Sequence, residues 1–307
     1  ALGDLKGEGQ AVLFLGNAVH RTQRQRSLEY WREAEKISAV ANDESTKARA
    51  MAQIGRMTKD VPLMEKAISF FEISQDHYEE ENWRMALGTL HLEEGRFKQA
   101  QDCYTQALLM ARMIHDSRLE GLILGSLGLI QAEKGKFEGA EHLYKEAMLK
   151  LEEIGARSIE SVFLGNLGTL YFHHGDFDKA RQTYETAFSM YEEMNDPLNM
   201  AYFKAFYAGL LAEEHKLEEA QRFINFAGAT LREIGDELGI VAVSVCEGLI
   251  DVAQARQAMN EGDVHLAHDY IKAACARMEK VQQKGPITEQ YPQGTPSLAD
   301  KSGDVRD

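Results

Sequence analysis

Cysteine is scarce in this sequence of 307 residues. Cys103, Cys246 and Cys275 are far apart, and none of them belongs to a C-x-x-C pair. This pattern indicates small core residues of a reduced, intracellular protein rather than a disulfide framework. No run of about 18 apolar residues stands out, and the sequence shows no signal peptide. We therefore expect a cytoplasmic protein without membrane insertion.

Basic residues are also in deficit, with 34 Lys and Arg against 49 Asp and Glu, for a net charge of −15. Binding to a nucleic-acid backbone depends on Lys and Arg that release counterions, so we predict no nucleic-acid partner. The excess of acidic over basic residues lies entirely after residue 60. Residues 1–60 carry 10 basic and 8 acidic side chains, whereas the later residues carry 24 and 41.

Motifs that carry chemistry are missing as well. The sequence has no G-x-G-x-x-G and no G-K-[ST], and no Ser/His/Asp or Cys/His set has a recognisable context. His265 and His268 have a spacing that can chelate zinc, with Asp263 and Asp269 beside them, but a solvated helix face is the favoured interpretation. We therefore predict no enzyme activity, no cofactor and no metal site.

What the sequence does contain is an internal repeat. The segment "GRFKQAQDCYTQAL" from Gly95 recurs as "GKFEGAEHLYKEAM" from Gly135 and "GDFDKARQTYETAF" from Gly175, and a degraded copy starts at His215. The copies are 40 residues apart. Their shared columns hold small and aromatic residues: Ala100, Ala140, Ala180 and Ala220, then Tyr104, Tyr144 and Tyr184.

A second column of small residues lies upstream of each copy, at Gly88, Gly128, Gly168 and Ala208. A small residue, a turn and then an aromatic residue predict two helices whose backbones approach closely. Gly165 and Gly168 are three residues apart, so we expect them on one helical face where a neighbouring helix crosses. Gly175 is predicted to form the turn.

Fainter copies occur around Gly16, Gly55 and Gly262, and we predict about six units over residues 1–283. The opening "ALGDL" is similar to the linkers between repeats, such as "EIGDE" at 233–237. We therefore expect the array to be a fragment that continues from an upstream repeat or domain. Residues 284–307 hold three of the five prolines and few large apolar residues, which predicts a disordered tail.

The order of a Leu-Gly pair, Tyr171, Ala180, Tyr184 and Ala187 resembles the tetratricopeptide repeat. The resemblance covers roughly residues 1–283 and implies an all-α, right-handed superhelical solenoid of about six helix-turn-helix repeats. The usual repeat has about 34 residues, so these units are long. Such long repeats are similar to those of Pins-type spindle-orientation adaptors, kinesin light chains and the sensor arms of bacterial signal-transducing ATPase regulators.

In this family the first helices line a concave groove. Carried over position by position, the resemblance implies that a partner is bound by Asn17, Arg49, Gln53, Arg56, Asn82, Met85, Thr89, Ser126, Leu129, Asn166, Thr169, His173, Tyr202 and Phe206. The family's lysine clamp for chaperone tails is absent, because its column holds Leu13, Ala52, Met85, Gly125, Gly165 and Ala205.

The leading functional hypothesis is a non-enzymatic scaffold that binds a peptide or helix of a partner protein, as the regulatory arm of a larger signalling protein. Groove amides would hydrogen-bond a peptide backbone, and apolar residues would take its side chains. Arg49 and Arg56 favour acidic groups near the N-terminal end, and the acidic remainder favours a basic ligand. Two alternatives stay open: a receptor arm for a small molecule or signal peptide, and an oligomerisation module that self-associates or holds its own tail.

Overall fold

The computed structural model describes residues 4–20 and 22–283, so the predicted tail lies outside the described residues. Every regular element of the described part is an α-helix, as the repeat pattern predicts. The helices follow one another as seven hairpins: α1 Leu5–Val19 with α2 Arg24–Val40, α3 Glu44–Thr58 with α4 Val61–Ser74, α5 His77–Glu93 with α6 Phe97–Ile114, α7 Ser117–Glu133 with α8 Phe137–Glu153, α9 Arg157–His174 with α10 Phe177–Met194, α11 Pro197–Glu213 with α12 Leu217–Ile234, and α13 Glu237–Glu261 with α14 Val264–Gln283.

Seven described hairpins are one more than the six predicted units, because the four clear copies and the three fainter ones each form a hairpin. The residues divide into two compact units. The N-terminal unit contains the described residues up to Ile123, and the C-terminal unit begins at Leu124, inside α7.

Helix boundaries lie where the linker chemistry predicts them. Asp176 and Asp196 are N-caps, and each accepts a hydrogen bond from a backbone N–H in the first turn of its helix. Gly175 ends α9 with a φ of 85°, a left-handed conformation that glycine adopts without a Cβ penalty. The predicted turn at Gly175 is confirmed.

The repeat columns form the core of each hairpin. Tyr104, Tyr144 and Tyr184 are completely buried, and each ring lies against a glycine of the preceding first helix. A Cβ added at Gly168 would lie 2.9 Å from Cδ1 of Tyr184, which is closer than real Cβ contacts. The tyrosine column therefore requires the glycine column.

Gly165 and Gly168 contact two different neighbours. Gly168 faces Tyr184 in its own hairpin, whereas a Cβ at Gly165 would lie 2.5 Å from Cζ of Phe203 in the next first helix, α11. The prediction that one crossing helix explains both glycines is therefore wrong. Residues three apart lie about 60° apart around the helix axis, which is enough to place them under separate neighbours.

Two of the buried tyrosine hydroxyls are matched by threonines. The Tyr184 hydroxyl donates to Oγ1 of Thr169 at 2.8 Å, and the Tyr104 and Thr89 hydroxyls lie 3.0 Å apart. The corresponding position opposite Tyr144 is Leu129, and the Tyr144 hydroxyl has no hydrogen-bond partner among the described residues. Burial raises the pKa of both Tyr144 and Tyr184.

This difference predicts opposite effects for one substitution at two equivalent positions. Tyr144→Phe removes an unsatisfied buried hydroxyl and should raise the free energy of unfolding by about 1 kcal/mol. Tyr184→Phe breaks a buried hydrogen bond and should lower it by about 1 to 2 kcal/mol. Urea unfolding followed by circular dichroism measures both changes in the free energy of unfolding. Equal changes for the two variants would show that the two tyrosine hydroxyls do not differ in hydrogen bonding.

Helix α13 qualifies the expectation that no long apolar run exists. It is the one helix of the described chain that is long and apolar enough, by length and composition, to cross a membrane. Half of the apolar window is buried inside the protein, and Asp251 of this helix accepts a hydrogen bond from Arg277 of α14 at 2.8 Å. The length and composition of α13 suit a buried core helix equally well, so they do not by themselves indicate a membrane span.

Candidate functional site

The predicted groove residues divide evenly between the two units. Those from Asn17 to Thr89 lie on α1, α3 and α5 of the N-terminal unit, and those from Ser126 to Phe206 lie on α7, α9 and α11 of the C-terminal unit. All of them are on first helices, where the resemblance puts ligand contacts.

Amides of the N-terminal unit are joined in a hydrogen-bonded chain. The Asn17 Oδ1 atom accepts bonds from Nε1 of Trp31 at 2.9 Å and from Nε2 of Gln53 at 3.1 Å. The Gln53 Oε1 atom in turn accepts a bond from Nη2 of Arg56 at 3.1 Å. These hydrogen bonds fix the orientation of the Asn17 and Gln53 amides in the absence of a ligand.

The two arginines of this unit have different electrostatic surroundings. Nε of Arg49 lies 2.9 Å from Oε1 of Glu79, so the charge of Arg49 is largely balanced within the protein. Arg56 has no salt bridge among the described residues. Burial lowers the pKa of the Arg56 guanidinium, and Glu93 acts in the opposite direction. Attraction for an acidic group therefore concentrates at Arg56.

The other three predicted residues of this unit are already engaged. Asn82 donates from Nδ2 to the carbonyl of Tyr78 at 2.7 Å, and Thr89 lies against the Tyr104 hydroxyl. Met85 is buried. The N-terminal unit therefore presents its amide chain and Arg56 rather than the full predicted set.

In the C-terminal unit most of the predicted groove positions are buried between helices. Five of them are almost inaccessible to solvent, namely Ser126, Leu129, Asn166, Thr169 and Tyr202. A Cβ at Gly125 would lie 2.1 Å from Cζ of Phe163, and the contact of Gly165 with Phe203 is similarly close. These contacts draw the first helices together, so the accessible face is narrower than the resemblance implies, and His173 and Phe206 are its more exposed members.

Asn166 differs from the other buried polar side chains of α9. The Thr169 hydroxyl donates to the carbonyl of Gly165 at 3.1 Å, and the Ser161 hydroxyl donates to the carbonyl of Ser158 at 3.0 Å. Asn166 is 2% exposed, yet its Oδ1 atom has no hydrogen-bond partner among the described residues. A buried acceptor without a donor costs about 1 to 3 kcal/mol, so this oxygen is a candidate ligand acceptor.

The histidine pair of the last hairpin lies on a solvent-exposed helix face. His265 and His268 are both exposed on α14. In the part of the chain that the structure describes, no group of three or more His, Cys, Asp or Glu side chains could hold a metal ion.

The repeat pattern did not predict a cleft in the C-terminal unit. A cleft of about 480 Å³ lies between α12 and α13, lined by Leu217, Glu218, Gln221, Arg222, Asn225 and Gln254. The available signal was the degraded fourth copy, "HKLEEAQRFINFAG", where Ile224 replaces the tyrosine and polar side chains accumulate.

The family match falls on the residues that carry the repeat columns. The tetratricopeptide-repeat family model matches residues 79–153 and 124–193. No curated protein sequence matches the chain.

The solved structures that share the fold include RapI, a Rap conjugation gene regulator and a STAND protein. The apo form of RapI has a TM-score of 0.68 at 12% identity, covering 91% of this chain and all of its own. The Rap conjugation gene regulator of plasmid pLS20, solved with the Phr* peptide, has a TM-score of 0.58 at 20% identity, covering 92% and 76%. A STAND protein from Pyrococcus horikoshii with a tetratricopeptide-repeat sensor has a TM-score of 0.66 at 16% identity, covering 90% of this chain and 43% of its own.

At these identities the likeness shows the fold alone. The sequence match and the hairpin architecture agree with each other and with the resemblance drawn from the repeat columns. Residues 79–193 therefore match the tetratricopeptide repeat, and the chain shares its fold with proteins that carry this repeat.

Proposed function

We propose that this chain is a non-enzymatic scaffold that binds an extended peptide on the faces of its first helices. The observation that carries the proposal is the buried, unpartnered Oδ1 of Asn166. Because this oxygen is buried in the free protein, the Asn166 side chain has to turn outward to meet a ligand. A peptide backbone N–H would then satisfy the oxygen, and half-buried Phe206 on the next first helix would take an apolar side chain. The fold it shares with a regulator solved with a bound peptide supports the choice of ligand.

Charge indicates which peptide the C-terminal unit would accept. Residues 124–283 contain 15 Lys and Arg and 26 Asp and Glu, so their field favours a basic peptide. The N-terminal unit, taken by itself, would favour an acidic group at Arg56. The proposed role as an arm of a larger protein is supported by the STAND protein, which carries a similar solenoid as its sensor.

A selection from a randomised peptide library, followed by calorimetry on the selected peptide, tests the proposal. Asn166→Ala should weaken binding about tenfold, because the peptide loses a hydrogen bond in a desolvated site. Gln182→Ala is the matched control, since Gln182 is an exposed amide on the second helix α10, and should leave affinity unchanged. Affinity should also fall as salt rises.

Two results would refute the proposal. One is the absence of any selected peptide that saturates at one site. The other is equal affinity of the Asn166→Ala variant, the Gln182→Ala variant and the unaltered protein for the selected peptide.

A further inference from the structure

Three phenylalanine rings of the C-terminal unit surround one lysine ammonium. The Nζ atom of Lys204, on α11, lies 4.4 Å from the ring centroid of Phe226 and 5.8 Å from those of Phe188 and Phe223. The rings come from α10 and α12, the second helices on either side. We call these three rings the aromatic box.

Tyr207 packs against two rings of the aromatic box, and the third ring, Phe226, is exposed to solvent. Tyr207 packs edge-on against Phe188 at 5.5 Å and against Phe223 at 5.2 Å, which fixes two of the rings. Phe188 is almost fully buried, whereas 44% of Phe226 is exposed. A ligand can therefore reach the box from the Phe226 side without separating the helices.

Lys204 is held in the box by the rings alone. Among the described residues it takes part in no salt bridge or hydrogen bond, and its only partners there are the three rings. Arg84 occupies the same position three repeats earlier, and there the cation is paired with Glu80 at 2.7 Å and Glu72 at 3.3 Å. At this position, the cation of the sixth hairpin therefore lies among aromatic rings, whereas the cation of the third hairpin is paired with carboxylates.

We propose that the aromatic box is a binding site for a quaternary ammonium group, with Lys204 as its occupant in the free protein. A lysine ammonium is strongly hydrated, so it recovers its water on leaving and is displaced at little cost. A quaternary ammonium has no N–H to hydrate and keeps its charge, which makes it the cation that aromatic rings recognise best. A trimethylated lysine of a protein partner and free choline both carry this group.

Titration with tetramethylammonium chloride, followed through the aromatic NMR signals of phenylalanine-labelled protein, tests the site. We expect saturable shifts of the Phe226 ring signal, assigned by its loss in Phe226→Leu. Lys204→Ala should tighten binding about threefold, because the internal competitor is gone. Lys272→Ala, an exposed lysine on α14, is the matched control and should bind like the unaltered chain.

The same titration with choline and with acetylated trimethyl-lysine amide distinguishes the two sources, and whichever binds more tightly identifies the partner class. Shifts that match those from sodium chloride, or a Lys204→Ala variant that binds no more tightly, would overturn the proposal. If Phe226→Leu reduces helicity, Phe226→Tyr keeps the ring and must retain binding; its failure to bind would also overturn the site.

Discussion

Gly125→Ala is expected to destabilise the C-terminal unit by about 2 to 3 kcal/mol, although alanine is the better helix former. A Cβ at this position would lie 2.1 Å from Cζ of Phe163, and both ring edges are also within 2.5 Å. The Phe163 ring is buried, so relief requires the first helices α7 and α9 to separate. Thermal unfolding followed by circular dichroism should show a large drop in Tm.

Gly139→Ala provides the control for this effect. Gly139 is also inside a helix of the C-terminal unit, but its nearest neighbour to an added Cβ is 3.7 Å away. Alanine there should raise stability by up to about 1 kcal/mol through helix propensity alone. Phe163→Leu in the Gly125→Ala background should recover part of the loss. If Gly125→Ala and Gly139→Ala stabilised the protein to the same extent, the close approach of α7 and α9 at Gly125 would be refuted.

The second large effect is expected at Glu81, a carboxyl group of α5. Glu81 is 0% exposed, and neither of its oxygens has a hydrogen-bond partner among the described residues. Burial and the nearby charge of Asp116 raise the pKa of Glu81 from 4.5 to about 8. At neutral pH this side chain therefore carries a proton in the folded protein.

The raised pKa makes the stability of the N-terminal unit depend on pH. Since the folded pKa of Glu81 is above the unfolded value, the folded state binds the proton more tightly. Its contribution is fully present below pH 4.5 and is lost as the pH rises toward about 8. The loss is on the order of 2 to 4 kcal/mol.

Glu81→Gln should abolish this loss, because glutamine resembles the protonated carboxyl and does not titrate. The variant should match the unaltered protein in Tm at pH 5 and exceed it at pH 8.5. Glu80→Gln is the neighbouring control: Glu80 is 2% exposed and lies 2.7 Å from Nη2 of Arg84, so losing its charge should lower Tm. A Glu81→Gln variant that follows the unaltered protein at both pH values would show that the carboxyl is not buried without a partner.

The sequence predicts the helical hairpins well, because each depends on short-range signals that recur every 40 residues. The aspartate caps, the turn at Gly175 and the alternation of small and aromatic columns are all local properties of the chain. The candidate site is less accessible to such reasoning. Asn166 and Phe206 were predicted from position alone, but nothing in the sequence separates Asn166, with its unpartnered oxygen, from Thr169, whose hydroxyl is already used.

Repetition by itself determined that this protein is an array of paired helices, since each hairpin leaves an apolar face that only the next one can cover. Tertiary structure alone decided how each side chain is used. Gly165 contacts Phe203, Arg49 is balanced by Glu79, and Lys204 lies among three rings. These partners are up to about 40 residues away and depend on how closely neighbouring helices approach, a distance that side-chain volume at the crossing points determines and periodicity does not.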